Sequence, residues 1–114
     1  MNDFLYVLKA LGDETRFNIV GLLLEHDFCV RALAKKLEIS EAAVSQHLQI
    51  LRKAGIVKGE KRGYYSHYRV ENEAFENTID QLQEMIKANN AFKSNCRKHK
   101  VRKFSELIGE ASNE

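Results

Sequence analysis

The sequence predicts a mainly α-helical chain with one small β-hairpin: four helices, the hairpin, a long fifth helix and a short helix in the C-terminal tail. Three observations carry this. Apolar residues recur at helical spacing from residue 3 to residue 54, and again from residue 72 to residue 86. Between them, residues 56–70 ("IVKGEKRGYYSHYRV") change to an alternation of aromatic and β-branched residues. Proline, which breaks helix interiors, is absent.

Residues 3–11 place Phe4, Leu5, Leu8 and Leu11 on one helical face and end at Gly12. Asp13 caps a second helix, with Arg16 outward and Phe17, Val20, Leu23 and Leu24 inward. "EHDF" at residues 25–28 ends it. A third helix through residues 31–37 buries Val30, Leu33, Ala34 and Leu37. Ser40 is a good N-cap for a fourth helix, which runs to Ala54 and stops at Gly55, a residue type that readily turns left-handed. Two helices joined by a short turn, the second capped by Ser, form a helix-turn-helix pattern. The alternating stretch around "GEKRG" reads as a hairpin with a basic, glycine-flanked tip, a wing. From Asn72, the residues Phe75, Ile79, Leu82 and Ile86 line one face of a long helix. Glu71, Glu73 and Glu76 at its start complement the helix dipole. Beyond Asn89–Asn90 comes a basic run, residues 93–103, then an amphipathic piece around Val101, Phe104, Leu107 and Ile108. The chain thus divides into a winged helix-turn-helix domain, residues 1–92, and a basic tail, residues 93–114.

A chain of 114 residues is one domain's worth, and 44% apolar with 30% charged content marks an ordered globular protein. The net charge of +2 says little, but its distribution says more. Residues 1–70 carry 11 Lys/Arg against 8 Asp/Glu, residues 71–92 carry 1 against 5, and residues 93–114 carry 6 against 3. Two cysteines without a secretory signal point to a reducing, cytoplasmic setting. No apolar run approaches the roughly 18 residues that span a bilayer, so no membrane is expected.

The fourth helix has an unusual wet face. Opposite Val44, Leu48 and Leu51 it offers Ser45, Gln46 and Gln49, with cations only at its far end. Such uncharged hydrogen-bonding groups read base edges when a helix lies in the major groove. Acidic residues there would repel phosphates. Ser40, Glu41 and Ala42 begin the same helix, and Arg52, Lys53 and Lys58 sit where a DNA backbone would pass. Lys61, Arg62, Tyr64 and Arg69 extend the surface along the hairpin. Between positions 52 and 69 there are six cations, opposed only by Glu60. Each piece alone also fits a solvated surface. The order of helix, turn, Ser-capped helix, glycine stop and basic hairpin favours duplex DNA.

Residues 8–70 resemble the ArsR/SmtB winged-helix repressors. The landmarks are "LGDETR" at the second helix, "SxxxVSQHLxxLRxAGIV" at the fourth and a wing ending in "YRV". The resemblance implies a homodimer made by the first and fifth helices, bound to a palindromic operator and released by an effector. Two further apolar faces, Phe4/Leu5/Leu8 and Phe75/Ile79/Leu82/Ile86, support a dimer independently, since something must cover them; closing on the chain's own core is the alternative. This chain departs from the family on the recognition helix, with Glu41–Ala42 where Gln-Ser is common. Glu41 either favours the helix dipole or accepts from cytosine. His47 is expected at a helix–helix seam rather than on a base.

The resemblance also implies an effector held by thiols, imidazoles or carboxylates. One common family site uses two cysteines separated by one residue at the third helix; here Cys29 remains and Arg31 replaces the other. A second lies between paired fifth helices, where this chain offers Asn72, Ala74, Met85 and Ala88, a poor zinc or cobalt site. Cys29, Cys96 and His99 are left. Soft thiolates suit arsenite, cadmium, mercury or copper(I). Cys96 also sits among Lys93, Arg97, Lys98 and Lys100, which favour a reactive thiolate and a disulfide or persulfide switch. The alternative is two idle thiols. The basic tail is read as a DNA-embracing arm, a contact for an acidic partner or a solvated run.

Rival classes are a winged-helix protein-interaction module, a DNA-binding regulator without effector, and a MarR-like regulator, which usually has a longer chain. An enzyme is disfavoured: the chain has no glycine-rich phosphate loop, no serine elbow and no His/Glu metalloprotease spacing.

Overall fold

The computed structural model describes residues 3–94. The expectations for Cys96, His99 and the tail segment lie outside these residues. Helices α1 (Asp3–Leu11) and α2 (Glu14–Leu23) are followed by a short strand β1 (Phe28–Cys29). Helices α3 (Val30–Leu37) and α4 (Glu41–Lys53) come next, then strands β2 (Val57–Arg62) and β3 (Tyr65–Val70), then α5 (Asn72–Ser94). The fold is a winged helix-turn-helix, mostly helical with a small antiparallel sheet.

Local chemistry explains the boundaries. The Asp13 carboxylate accepts from the Arg16 amide at 3.0 Å and starts α2. The Ser40 hydroxyl accepts from the Ala43 amide at 3.0 Å and starts α4. Each satisfies a backbone donor that a helix start leaves orphaned. Gly55, with φ +80°, ends the segment after α4 and turns the chain into β2. Between α3 and α4 the turn runs through Glu38, which holds a left-handed φ of 59° while its amide donates to Ala34.

The core forms where α2, α3, α4 and the start of the hairpin converge. Ile19, Leu33, Val44, Leu48, Leu51 and Ile56 are fully buried there. Burying each contributes roughly 1.5–3 kcal/mol, enough to hold α4 firmly by its apolar stripe. Phe28, Tyr68, Val70, Ala74 and Phe75 pack around the edge of this core.

Three expectations are corrected. First, "EHDF" does more than break α2. Phe28 and Cys29 form β1, which pairs with β3 at Tyr68 and His67, giving a three-stranded sheet in the order β1-β3-β2. Second, the hairpin tip is not "GEKRG". Arg62 pairs directly with Tyr65, so the loop is Gly63–Tyr64, with Gly63 at φ +67°. A glycine at the first position of a two-residue loop matches the right-handed strand twist. Gly59 instead lies inside β2, directly opposite Tyr68. Third, Phe17 and Leu24 point outward, and Ile19 joins Val20 and Leu23 in the core. Phe17 lies two residues before Ile19, roughly 200° around the helix, so the two cannot share a face. Arg16, expected outward, is turned inward against α1. Helix α5 runs on through Asn89–Asn90 to Ser94.

Candidate nucleic-acid interface

Helix α4 is pinned on one side and open on the other. Val44, Leu48 and Leu51 are buried, whereas Glu41, Ala42, Ser45, Gln46, Gln49, Arg52 and Lys53 are all exposed. At 100° per residue, Ser45, Gln46 and Gln49 project together away from the core stripe. Ser40 caps the helix at its exposed start. Glu41 lies in the first turn and Arg52 and Lys53 in the last, so each charge complements the helix dipole. The face between them is neutral and rich in donors and acceptors.

His47 leaves that face. It is half-buried against α2, with Nδ1 3.4 Å from an Arg16 terminal nitrogen and 4.0 Å from the Asp13 carboxylate. The Arg16 amide, its charge and the nearby imidazole hold the Asp13 carboxyl below its ordinary value, against a smaller opposing effect of burial.

On the wing, Lys58 and Lys61 are exposed on β2, and Tyr64 at the tip is 94% exposed. Tyr65 stands edge-on to Tyr64, ring centroids 6.5 Å apart. The arginines are already engaged. Arg62 donates to Asp27 at 2.7 Å and to Glu60 at 3.5 Å, and the Asp27 contact raises its pKa above the ordinary guanidinium value. Arg69 donates to Glu60 at 2.9 Å and lies 3.4 Å from Glu71. A ladder of ion pairs thus crosses the outer face of the sheet from Asp27 to Glu71. Lys58 and Lys61 stay exposed on the wing, whereas Arg62 is paired with Asp27 and Glu60.

Cys29 is a half-buried free thiol at the N-cap of α3. It borders a groove of about 380 Å³ that also involves Arg31, Glu41, Tyr64 and Tyr65. Its cross-strand partner is His67, whose Nδ1 is buried without a hydrogen-bond partner. Among the described residues, no three His, Cys, Asp or Glu side chains converge as a metal site. Nor is any helix among them long and apolar enough to cross a membrane.

The two apolar faces divide unequally. Phe4 and Phe75 are half-buried, and Phe75 packs on the chain's own core. Leu5, Leu8, Ile79, Leu82 and Ile86 remain open, Ile79 at 51% and Ile86 at 59% exposure. Helix α1 packs against α5, the two helices that carry these open residues.

Sequence reasoning missed three features near this interface. Asp27 restrains Arg62 from 35 positions away, and no local pattern signals that. His67 meets Cys29 only through the unpredicted β1. Ile50 is 43% exposed on α4, one turn beyond Gln46, and its i+4 spacing from that residue was the available signal.

The profile of the bacterial regulatory protein, arsR family, matches residues 13–58. Over 65 residues the chain is 42% identical to the arsenical resistance operon repressor of Escherichia coli, spanning 56% of each protein. An ArsR-like transcriptional regulator from Rhodococcus sp. RHA1 superposes with a TM-score of 0.77 at 26% identity, over 89% of this chain and 95% of that one. The homodimeric winged helix-turn-helix DNA-binding domain of Mycobacterium bovis Mb0332 superposes with a TM-score of 0.60 at 25% identity, over 85% of this chain and 86% of that one. Profile, sequence and fold agree: the chain belongs to the ArsR family of bacterial transcriptional regulators, and its winged helix-turn-helix is a DNA-binding domain.

Proposed function

We propose that the chain is a repressor that binds a palindromic operator as a homodimer, lays α4 in the major groove and is released by an effector acting on its thiols. The observation that carries the DNA reading is the exposed, uncharged face of α4, Ser45, Gln46 and Gln49, presented by a helix whose other face is locked in the core. Amide and hydroxyl groups in that position can pair with base edges, and Gln can do so bidentately with adenine. Lys53, Lys58 and Lys61 then meet phosphates. The open stripes on α1 and α5 support dimerisation, as does the homodimeric Mycobacterium bovis relative. Two copies place twin recognition helices about one turn of DNA apart.

The direct test is competition between an operator selected from a randomised duplex library and random duplex. Gln46→Ala and Ser45→Ala each lose roughly 1–3 kcal/mol of discrimination while binding to random duplex persists. If Gln46→Ala leaves specific and random binding unchanged, α4 does not read bases through that face.

For the effector, two chemistries suit the same thiols. Cys29 and Cys96, aided by His99 or by a thiol of the second subunit, suit a thiophilic ion such as arsenite, cadmium or copper(I). The arsenical resistance repressor of Escherichia coli is a relative consistent with this. Alternatively, peroxide is reduced to water while the two thiols lose two electrons and two protons and join as a disulfide. With polysulfide, a cysteine thiolate attacks and forms an S–S bond as a polysulfide S–S bond breaks, keeping a persulfide while the shortened polysulfide leaves. Cys29 suits either role, because it ties β1 to the start of α3 and changes there act on both wing and helix-turn-helix. Operator release by these agents should be abolished in Cys29→Ser and in Cys96→Ser. Release unaffected by either substitution dismisses thiol sensing.

A further inference from the structure

Arg16 occupies a junction that the DNA-binding face does not use. Its Nε donates to the Ala10 carbonyl at 2.7 Å and a terminal nitrogen reaches the Lys9 carbonyl at 3.5 Å. These carbonyls lie in the last turn of α1, that of Lys9 also accepting from the Gly12 amide, and a cation there complements the helix dipole. Its other terminal nitrogen lies 3.4 Å from His47 Nδ1 on α4. Its own amide is held by Asp13, the cap of α2. One residue therefore joins three helices: its guanidinium meets the end of the open-faced α1 and the helix that carries Ser45, Gln46 and Gln49, and its amide meets the cap of α2.

The chemistry fixes the roles in this contact: a guanidinium has donors only, so Arg16 donates and Nδ1 accepts. The contact is a hydrogen bond from a charged donor across a half-buried seam, and such bonds are stronger than neutral ones. It is also planar and directional, unlike the apolar contacts of Val44, Leu48 and Leu51 around which α4 could rotate by small angles.

We infer that the Arg16–His47 hydrogen bond sets the angle of the recognition helix relative to α1, making both side chains positioning residues for operator selection. Neither touches DNA. The inference rests on the DNA reading proposed above, with α1 in the dimer interface. In that arrangement the bond links the subunit contact to the orientation of α4, and so to the spacing and angle of the two half-sites.

The test uses the full chain and three duplexes: one selected by the wild type from a randomised library, the same duplex with two base pairs inserted at its centre, and random sequence. His47→Asn keeps an acceptor oxygen close to where Nδ1 lies, whereas His47→Gln carries its acceptor one bond further out and His47→Leu has none. The expected result is that Asn retains the wild-type preference for the uninserted duplex. Gln, Leu and Arg16→Lys each lose about tenfold of it, the order expected for one charge-assisted hydrogen bond. Binding to random duplex stays level in all four. Arg16→Lys also alters the contacts to α1. Combined with His47→Leu it should cost no more of this preference than Arg16→Lys alone, since His47→Leu removes only the contact that Arg16→Lys already breaks. Thermal melting separates this from unfolding, and Asn against Gln remains informative if Leu fails to fold. Equal behaviour of Asn and Gln, or an unchanged preference in a folded His47→Leu, overturns the inference. A wild type that selects no duplex at all instead overturns the proposed function.

Discussion

Single atoms decide several features of this fold. Gly59 is the clearest case: a Cβ built on it would meet the Tyr68 ring at 2.9 Å, closer than real contacts allow. Tyr68 cannot simply swing away, because it packs at the edge of the core and pairs with Phe28 as well as Gly59. Gly59→Ala should therefore destabilise the domain by about 1–3 kcal/mol through overpacking, read as a lower urea midpoint at unchanged slope. An unchanged midpoint would show that the ring has room to move. Gly63 differs, since its surroundings are open and its positive φ is what the turn requires. The arginines of the wing make the same point with charge. Arg62 and Arg69 spend their donors on Asp27, Glu60 and Glu71, so a count of cations overstates what the wing offers a phosphate.

Elements inherit these choices. In β2, Lys61 has an exposed ammonium while its neighbour Arg62 is braced by Asp27. Lys61→Ala should weaken binding to every duplex alike and reduce the slope of log K against log salt by about one. A loss confined to one sequence would assign Lys61 to base reading instead. The helices were legible in the sequence because their caps are local: Asp13, Ser40 and Gly55 each act within a few residues. The outward face of α4 was legible for the same reason, as its apolar stripe leaves only one side for Ser45, Gln46 and Gln49. Features made by distant pairing were not legible. A strand of two residues such as β1 has no alternation to read, and it exists only because β3 offers an edge. The two glycines of "GEKRG" looked alike in sequence, although one turns the chain and the other makes room for a ring. On α2, the run from Phe17 to Leu24 offers apolar residues on several sides, and only packing selects Ile19. The inward turn of Arg16 depends on where α1 ends in space, which no local pattern reveals.

At the scale of the molecule, two facts stand together. The neighbouring helices α1 and α5 expose Leu5, Leu8, Ile79, Leu82 and Ile86, and α4 presents its neutral face, with Lys58 and Lys61 exposed on the wing. Apolar stripes of this kind mark an interface, and a symmetric pair would convert one weak half-site contact into two. The most direct measurement is the mass of the complex with a selected palindromic duplex, by sedimentation or light scattering, for the wild type and for Ile79→Asp combined with Ile86→Asp. The wild type should bind as two chains per palindrome. The doubly substituted protein should be monomeric, fold normally and lose most of its affinity for the palindrome. A wild-type chain that stays monomeric and binds no double-stranded DNA at low ionic strength contradicts the account.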